Sequence, residues 1–263
     1  MPRVLSCLSG LLIASLALAG SIPDEARHYQ GVAYAGSDGR ELYREEHFVF
    51  EDASGVRSRL VIYRCPSGEP FARKWVRDVV SDEAPDFELD DARFGYREGV
   101  RTIDGRREVF WRADRRSPLR VAPLPDRDET VIDAGFDAFV RHHWDRLSTP
   151  GATHINFVVP SRLGYVGMTI QSAAPETIAG EPVMHVRLGL DSWYGRLLPS
   201  IDLSYDMSDH RLRRFEGLSN ILDAAGRRED VRIEFPLSSV SAPPDRHEID
   251  RAAAVALTTK CSP

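Results

Sequence analysis

Apolar and polar residues alternate in short runs along most of this chain. A period of two is the signature of half-buried β-strands, whose side chains point to opposite faces in turn. The runs are Glu41 to Glu51, Val56 to Cys65, Phe71 to Val80, Phe87 to Thr102, Arg107 to Ala113, His154 to Val159, Tyr165 to Gln171, Pro182 to Leu190, Ile201 to Met207, Arg211 to Leu218 and Asp230 to Phe235. Turn-forming groups bound them: Asp52-Ala53-Ser54-Gly55, Pro66-Ser67-Gly68-Glu69, Asp104-Gly105 and Ser208-Asp209-His210 among others. Asp-Gly between two such runs is a two-residue hairpin signal. Phe87 to Thr102 reads as one long or bent strand, and Ser117 to Asp128, rich in proline and charge, reads as a loop.

The period changes once with force. Phe136, Phe139, Val140, His143, Trp144 and Leu147 fall at helical spacing and make one apolar stripe. Asp133 is placed to cap this helix over 134–147, and Thr149-Pro150-Gly151 stops it. Alanines between Asp245 and Leu257 suggest a second, short helix. Many short strands and one amphipathic helix predict a mainly β (α+β) fold: a strongly curved antiparallel sheet or open β-barrel with the helix packed on it.

The N-terminus changes the picture of where this domain works. Arg3 precedes an uncharged apolar or small stretch from Val4 to Ala19, which ends in Ala17-Leu18-Ala19. This is the pattern of a cleavable secretory signal, and the run is short for a membrane anchor. An uncleaved anchor is the other reading. The organisation expected is therefore a signal peptide at 1–19, a single β-rich domain at 20–236 and a tail at 237–263, in the periplasm or secreted. No membrane span is expected after signal cleavage. Cys65 and Cys261 are then the two cysteines of the exported part, and an oxidising compartment favours a disulfide between them. Two buried thiols or an intermolecular bond are the alternatives.

Charge narrows the partners. With 34 basic and 40 acidic side chains the formal net charge is −6, which argues against nucleic acid. Lys74 and Lys260 are the sole lysines; arginine supplies the rest of the positive charge.

Candidate chemistry is sparse. There is no Gly-x-Ser-x-Gly elbow, and Cys65 sits between Arg64 and Pro66 at a strand end. His142 and His143 are adjacent on the helix and cannot converge on one ion, so no metal site and no cofactor are expected. Glu45-Glu46 and Asp90-Asp91 are strand neighbours that face opposite ways. The suggestive pattern is a mix of arginine with large aromatics. Arg73, Trp75 and Arg77 share a face; so do Arg57, Arg59, Val61 and Tyr63; Phe94, Tyr96 and Glu98 alternate with small or basic residues; Val109 and Trp111 lie together. Trp75, Tyr96, Trp111 and Tyr165 are accordingly the candidate walls of a cavity for an amphipathic ligand. An ordinary solvated face, with arginine stems covering aromatic edges, accounts for the same pattern.

Three stretches carry a resemblance: Tyr63 to Lys74, Pro85 to Val100 and Tyr205 to Ile221. They resemble a group of uncharacterised exported proteobacterial proteins, similar in style to the lipoprotein-carrier fold. That resemblance implies a curved antiparallel sheet with helices on its concave side. Its motifs are turns and strands without assigned chemistry, so no functional residue carries over. The function expected is a periplasmic binding or carrier protein for an amphipathic small molecule or lipid, rather than an enzyme. A structural or interaction module of the cell envelope, with a protein partner, is the alternative. A hydrolase is the third reading, and His154, His185, Asp202 and Glu216 are the residues it would use.

Overall fold

The alternation is realised as one continuous sheet that curls around its own inner face. The computed structural model describes residues 27–172, 176–191 and 200–262; the signal segment expected at 1–19 lies outside them. The N-terminal strands are β1 (Arg27–Ala35), β2 (Glu41–Glu51), β3 (Arg57–Arg64), β4 (Pro70–Arg77), β5 (Asp86–Asp91), β6 (Tyr96–Ile103), β7 (Arg106–Arg112) and β8 (Arg120–Pro123). The C-terminal strands are β9 (Thr130–Val131), β10 (Ala152–Val159), β11 (Gly164–Ser172), β12 (Glu176–Ile178), β13 (Glu181–Leu190), β14 (Ile201–Asp206), β15 (Leu212–Leu222) and β16 (Arg228–Glu234). Three helices accompany them: α1 (Gly135–His142), α2 (Trp144–Leu147) and α3 (Arg246–Ala254).

Two meanders are zipped together at one seam. From β8 the sheet runs strand by strand to β1, which then pairs with β16; from β16 it runs back to β9, with β12 beside β13. The pairs are antiparallel except β9 with β10. The seam strand β1 has no counterpart among the runs read from the sequence. It is also where the sheet gains its length, since Val32 to Ala35 pair with Glu234 to Val231.

Strand alternation sorts side chains into an inside and an outside. On β2, Tyr43, Glu45 and His47 are buried while Arg44 is exposed. The outer face carries ion pairs such as Arg64–Glu46 at 2.8 Å, Arg187–Asp202 at 2.8 Å and Arg232–Glu234 at 3.1 Å. A lipid-facing barrel needs an apolar outer band, and these paired charges are the opposite. No helix among the described residues is long and apolar enough to cross a membrane.

The curl brings the two ends of the sheet together. Val76, Val109 and Leu124 from one end pack in a single cluster with Ile132 and Val158 from the other. The turn Pro160–Arg162 rests on β6 and β7, and the Ile132 N–H donates to the Glu83 carbonyl at 3.1 Å. Inside the curl sits α1. Its Phe136, Phe139 and Val140 bury against Ile170, Val186, Leu203 and Tyr205. Burying each such side chain stabilises the fold by about 1.5–3 kcal/mol. Gly135 opens the helix because nothing larger fits: a Cβ there would lie 2.1 Å from the Glu83 carbonyl oxygen.

Four expectations need correction. The helix over 134–147 is two pieces, broken at His143, whose ring lies tilted against Phe139 with centroids 4.4 Å apart. Asp133 does not cap it; Ala134 occupies the N-cap position without a side-chain bond. The long strand at 87–102 is the hairpin of β5 and β6, because Gly95 takes φ +69° and turns the chain. The stretch at 117–128 contains the edge strand β8.

The tail closes one end. An Asp245–Glu248 capping box starts α3, which lays Ala252 on Phe48, Leu60 and Ile62 of the outer face. The disulfide expected between Cys65 and Cys261 is present, with Cα atoms 5.6 Å apart and a sequence separation of 196.

Candidate functional site

Tyr43, Tyr63, Phe71, Leu89, Tyr96 and Ile221 fill the curl at the disulfide end. Toward the other end that packing gives way to a cavity of about 420 Å³. The inward positions of β2, β3, β4 and β6 supply its polar wall. Glu45 and His47 come from β2, Arg59 from β3, Lys74 from β4 and Glu98 from β6. Strand geometry explains the set: each is an even-step neighbour of a core residue, Tyr43, Val61, Ala72 or Tyr96.

Opposing this wall is an apolar one. Phe136 of α1, Phe157 of β10, Met168 of β11, Leu188 of β13, Leu203 of β14 and Phe215 of β15 form it. The N-terminal meander contributes mostly polar side chains and the C-terminal meander and helix mostly apolar ones, with Asp137 and Arg141 of α1, Arg213 of β15 and Arg228 of β16 as charged exceptions.

The charges of the polar wall are paired, mostly with partners from α1 and its approach and from β16. Lys74 Nζ donates to Asp133 Oδ2 at 2.9 Å, and the other Asp133 oxygen accepts from Asn220 Nδ2 at 3.4 Å. This explains why Asp133 does not cap α1. Its backbone sits at φ +45°, which a residue with a Cβ adopts at a cost, and that conformation delivers the carboxylate inward to Lys74. Arg59 lies 3.7 Å from Asp137, which also accepts from the Tyr205 hydroxyl at 2.9 Å. Arg228 donates to Glu98 at 3.2 Å, and the Tyr96 hydroxyl donates to the same carboxylate. His47 Nε2 meets Glu45 at 3.0 Å, with the imidazole stacked on Tyr29 at 4.4 Å.

Burial tunes these groups. It pushes the His47 imidazole below its ordinary value, against the pull of Glu45. It raises Glu98 above the usual carboxylate range, although Arg228 and Tyr96 pull the other way. Lys74 ends above its ordinary value, because the Asp133 and Glu45 carboxylates outweigh the burial that alone would lower it. The wall is thus a neutralised polar surface, with both donors and acceptors in a place of low dielectric.

The four aromatic candidates sit elsewhere. Trp75 follows Lys74 on β4 and so faces out, where it packs beside Phe50 in the cluster under α3. Tyr165 packs on the cluster that joins the sheet ends, and its hydroxyl donates to the Pro125 carbonyl at 2.7 Å. Tyr96 and Trp111 face inward but belong to the packed end; Tyr96 touches the site through Glu98. None of the four is among the residues lining the cavity. The hydrolase set assembles only in part, since His185, Asp202 and Glu216 come together on neighbouring strands and His154 stands apart from them. His154 pairs with Asp191 at 3.1 Å, whereas His185 lies between Glu176 and Asp202 at 3.1 and 2.9 Å. Asp202 pairs in register with Glu216. Among the described residues no group of three or more His, Cys, Asp and Glu could hold a metal ion.

The polar residues were within reach of the sequence in part. The alternation puts Arg57, Arg59, Val61 and Tyr63 on one face, and Arg59 and Tyr63 of that face line the cavity. Glu45 and Glu46 were read as facing opposite ways, and they do: Glu46 pairs with Arg64 outside. What the strand pattern lacked was a sign telling in from out.

No protein-family model matches this chain, and no curated protein sequence matches it. Among solved structures it is similar to a β-barrel-like protein of the domain of unknown function DUF1849 from Brucella abortus. The two share 10% sequence identity over 82% of this chain and 95% of that one, with a TM-score of 0.46.

Proposed function

We propose that this protein works outside the cytoplasm as a binding or carrier protein for an amphipathic molecule held inside the curled sheet. The observation that carries the reading is the two-sided cavity. A paired polar wall of Glu45, His47, Arg59, Lys74 and Glu98 faces an apolar wall of Phe136, Phe157, Leu203 and Phe215. Its volume of about 420 Å³ falls in the range of small-molecule sites. A molecule with one greasy and one polar side satisfies both walls, and leaves no charge of the polar wall facing grease. The helix on the concave side is the arrangement that the lipoprotein-carrier resemblance implies. The signal-like N-terminus and the Cys65–Cys261 bond favour an oxidising compartment outside the cytoplasm.

Native mass spectrometry of protein purified from its own cell envelope tests this. A bound mass in the range of a lipid, displaced by added amphiphile, is expected. A ligand-free spectrum, together with no uptake of amphiphilic probes, counts against it.

One observation favours a second reading, an interaction module of the envelope. The edge strand β8 is short and exposed; Val121 on it and Leu119 just before it are 43% and 39% accessible. An exposed apolar edge can take a further strand from a partner. Cross-linking in cells from position 121 would trap that partner.

A further inference from the structure

The lining of the cavity reaches the end of the curl opposite the disulfide. There β1 begins at Arg27 and β15 is entered through Arg211, while β16 runs out into Phe235 to Val240. The register places them together, since Glu234 pairs with both Val32 and Arg214. Two aliphatic side chains stand out on this rim. Leu237 and Val240 line the cavity and yet are 44% and 37% accessible.

Their exposure is held in place. The Ser239 hydroxyl accepts from the Gln30 N–H at 3.3 Å and approaches the Gln30 carbonyl at 2.9 Å. The Ser241 N–H donates to the His28 carbonyl at 2.8 Å. The loop continues the sheet along β1 where β16 has ended, and it presents Leu237 and Val240 from a fixed backbone.

The charge of the rim differs from that of the interior. All four carboxylates lining the cavity, Glu45, Glu98, Asp133 and Asp137, are largely buried and engaged on the polar wall. Arg27, over the Tyr29 ring at 5.3 Å, and Arg211, 3.4 Å from Asp209, line the rim. A molecule of net charge −6 would be repelled by an anionic surface unless a local patch faced it.

From these placements we infer that the rim is a membrane-contacting surface, which seats Leu237 and Val240 in an anionic bilayer with Arg27 and Arg211 at the headgroups. This rests on the cavity being the amphiphile site proposed above. It supplies what such a site needs, a path from bilayer to cavity that avoids water. Aliphatic side chains beside arginine are the usual composition of a surface that binds at the lipid interface.

Vesicle flotation of the full-length purified protein tests the inference. Equimolar phosphatidylcholine and phosphatidylglycerol is compared with phosphatidylcholine alone, and uptake of the fluorescent fatty acid cis-parinaric acid is measured in parallel. More protein floating with the anionic vesicles is expected. The Arg27→Gln and Arg211→Gln variants should each lower that binding about fivefold. Leu237→Ser with Val240→Ser should lower flotation on both vesicle types, with the circular dichroism unchanged. Probe uptake without any flotation overturns the membrane surface and leaves the cavity reading standing. Flotation that the four substitutions do not alter overturns it as well. Flotation without probe uptake supports the surface and removes the cavity reading.

Discussion

The two ends of the curled sheet are built on the same strands and to opposite designs. At one end Tyr43, Tyr63, Phe71, Leu89 and Ile221 close the interior, and Cys261 is bonded to Cys65 beneath them. At the other the same strands turn Glu45, His47, Arg59 and Lys74 inward, and the interior stays hollow. On β2 the change takes two residues, from Tyr43 to Glu45. One end spends apolar area on stability, whereas the other gives it up and keeps its charges neutral by pairing. The hollow is thus confined to the end whose interior is not closed by apolar side chains.

Breaking the closed end should have the largest effect. Cys65→Ser with Cys261→Ser is expected to cost up to about 5 kcal/mol in urea unfolding, because the bond closes so long a loop. Loss of amphiphile uptake before any loss of stability would contradict the division between the ends. Next comes the plug. Phe139→Ala, at a fully buried position on α1, should cost about 3–5 kcal/mol and lower the denaturation midpoint to match.

The polar wall sharpens the comparison. Lys74→Ala leaves Asp133 largely buried without its partner, and about 3 kcal/mol of destabilisation is expected. Lys74→Met with Asp133→Asn should recover most of it, if the pair serves the site rather than the fold.

Two groups of this wall make stability depend on pH in opposite directions. The His47 imidazole is depressed by burial, so the unfolded chain takes up its proton first. Stability is therefore lost as pH falls below the ordinary value of 6.5. Glu98 is raised by burial, so the folded chain holds its proton longer, and stability is lost as pH rises above the ordinary value of 4.5. Urea titrations across this range should show His47→Gln flattening the loss of stability at low pH and Glu98→Gln flattening the loss as pH rises. The smallest effect belongs to the outside. Arg227→Ala removes a pair to Asp223 from a side chain that is 79% accessible, and should stay within about 0.5 kcal/mol.

Most strands were legible because alternation and turn residues are local properties. Asp104-Gly105 turns β6 into β7 as read, with both residues at positive φ. The seam strand β1 is absent from the sequence reading; its pairing with β2 is a local hairpin, but nothing local announces that its other neighbour is β16, far along the chain. The site fared similarly. Large aromatics drew attention to Trp75 and Tyr165, but on a curled sheet the apolar side chain outside can be covered by a helix or loop. α3 does this for Trp75. The inward charges were passed over because each looks solvated until its neighbour across the sheet is known: Lys74 meets Asp133 59 positions away, and Arg228 meets Glu98 130 positions away.

The β1–β16 seam has a consequence for how the chain is born. Synthesis runs from the N-terminus, so β1 emerges with β2 ready on one side and nothing on the other. Its second edge stays unpaired until β16 is finished, almost two hundred residues later. Such a strand invites pairing with a neighbouring molecule in the interval. A folding helper that masks this edge, or a slow final step in which the seam closes late, is what the topology demands of the cell that makes it.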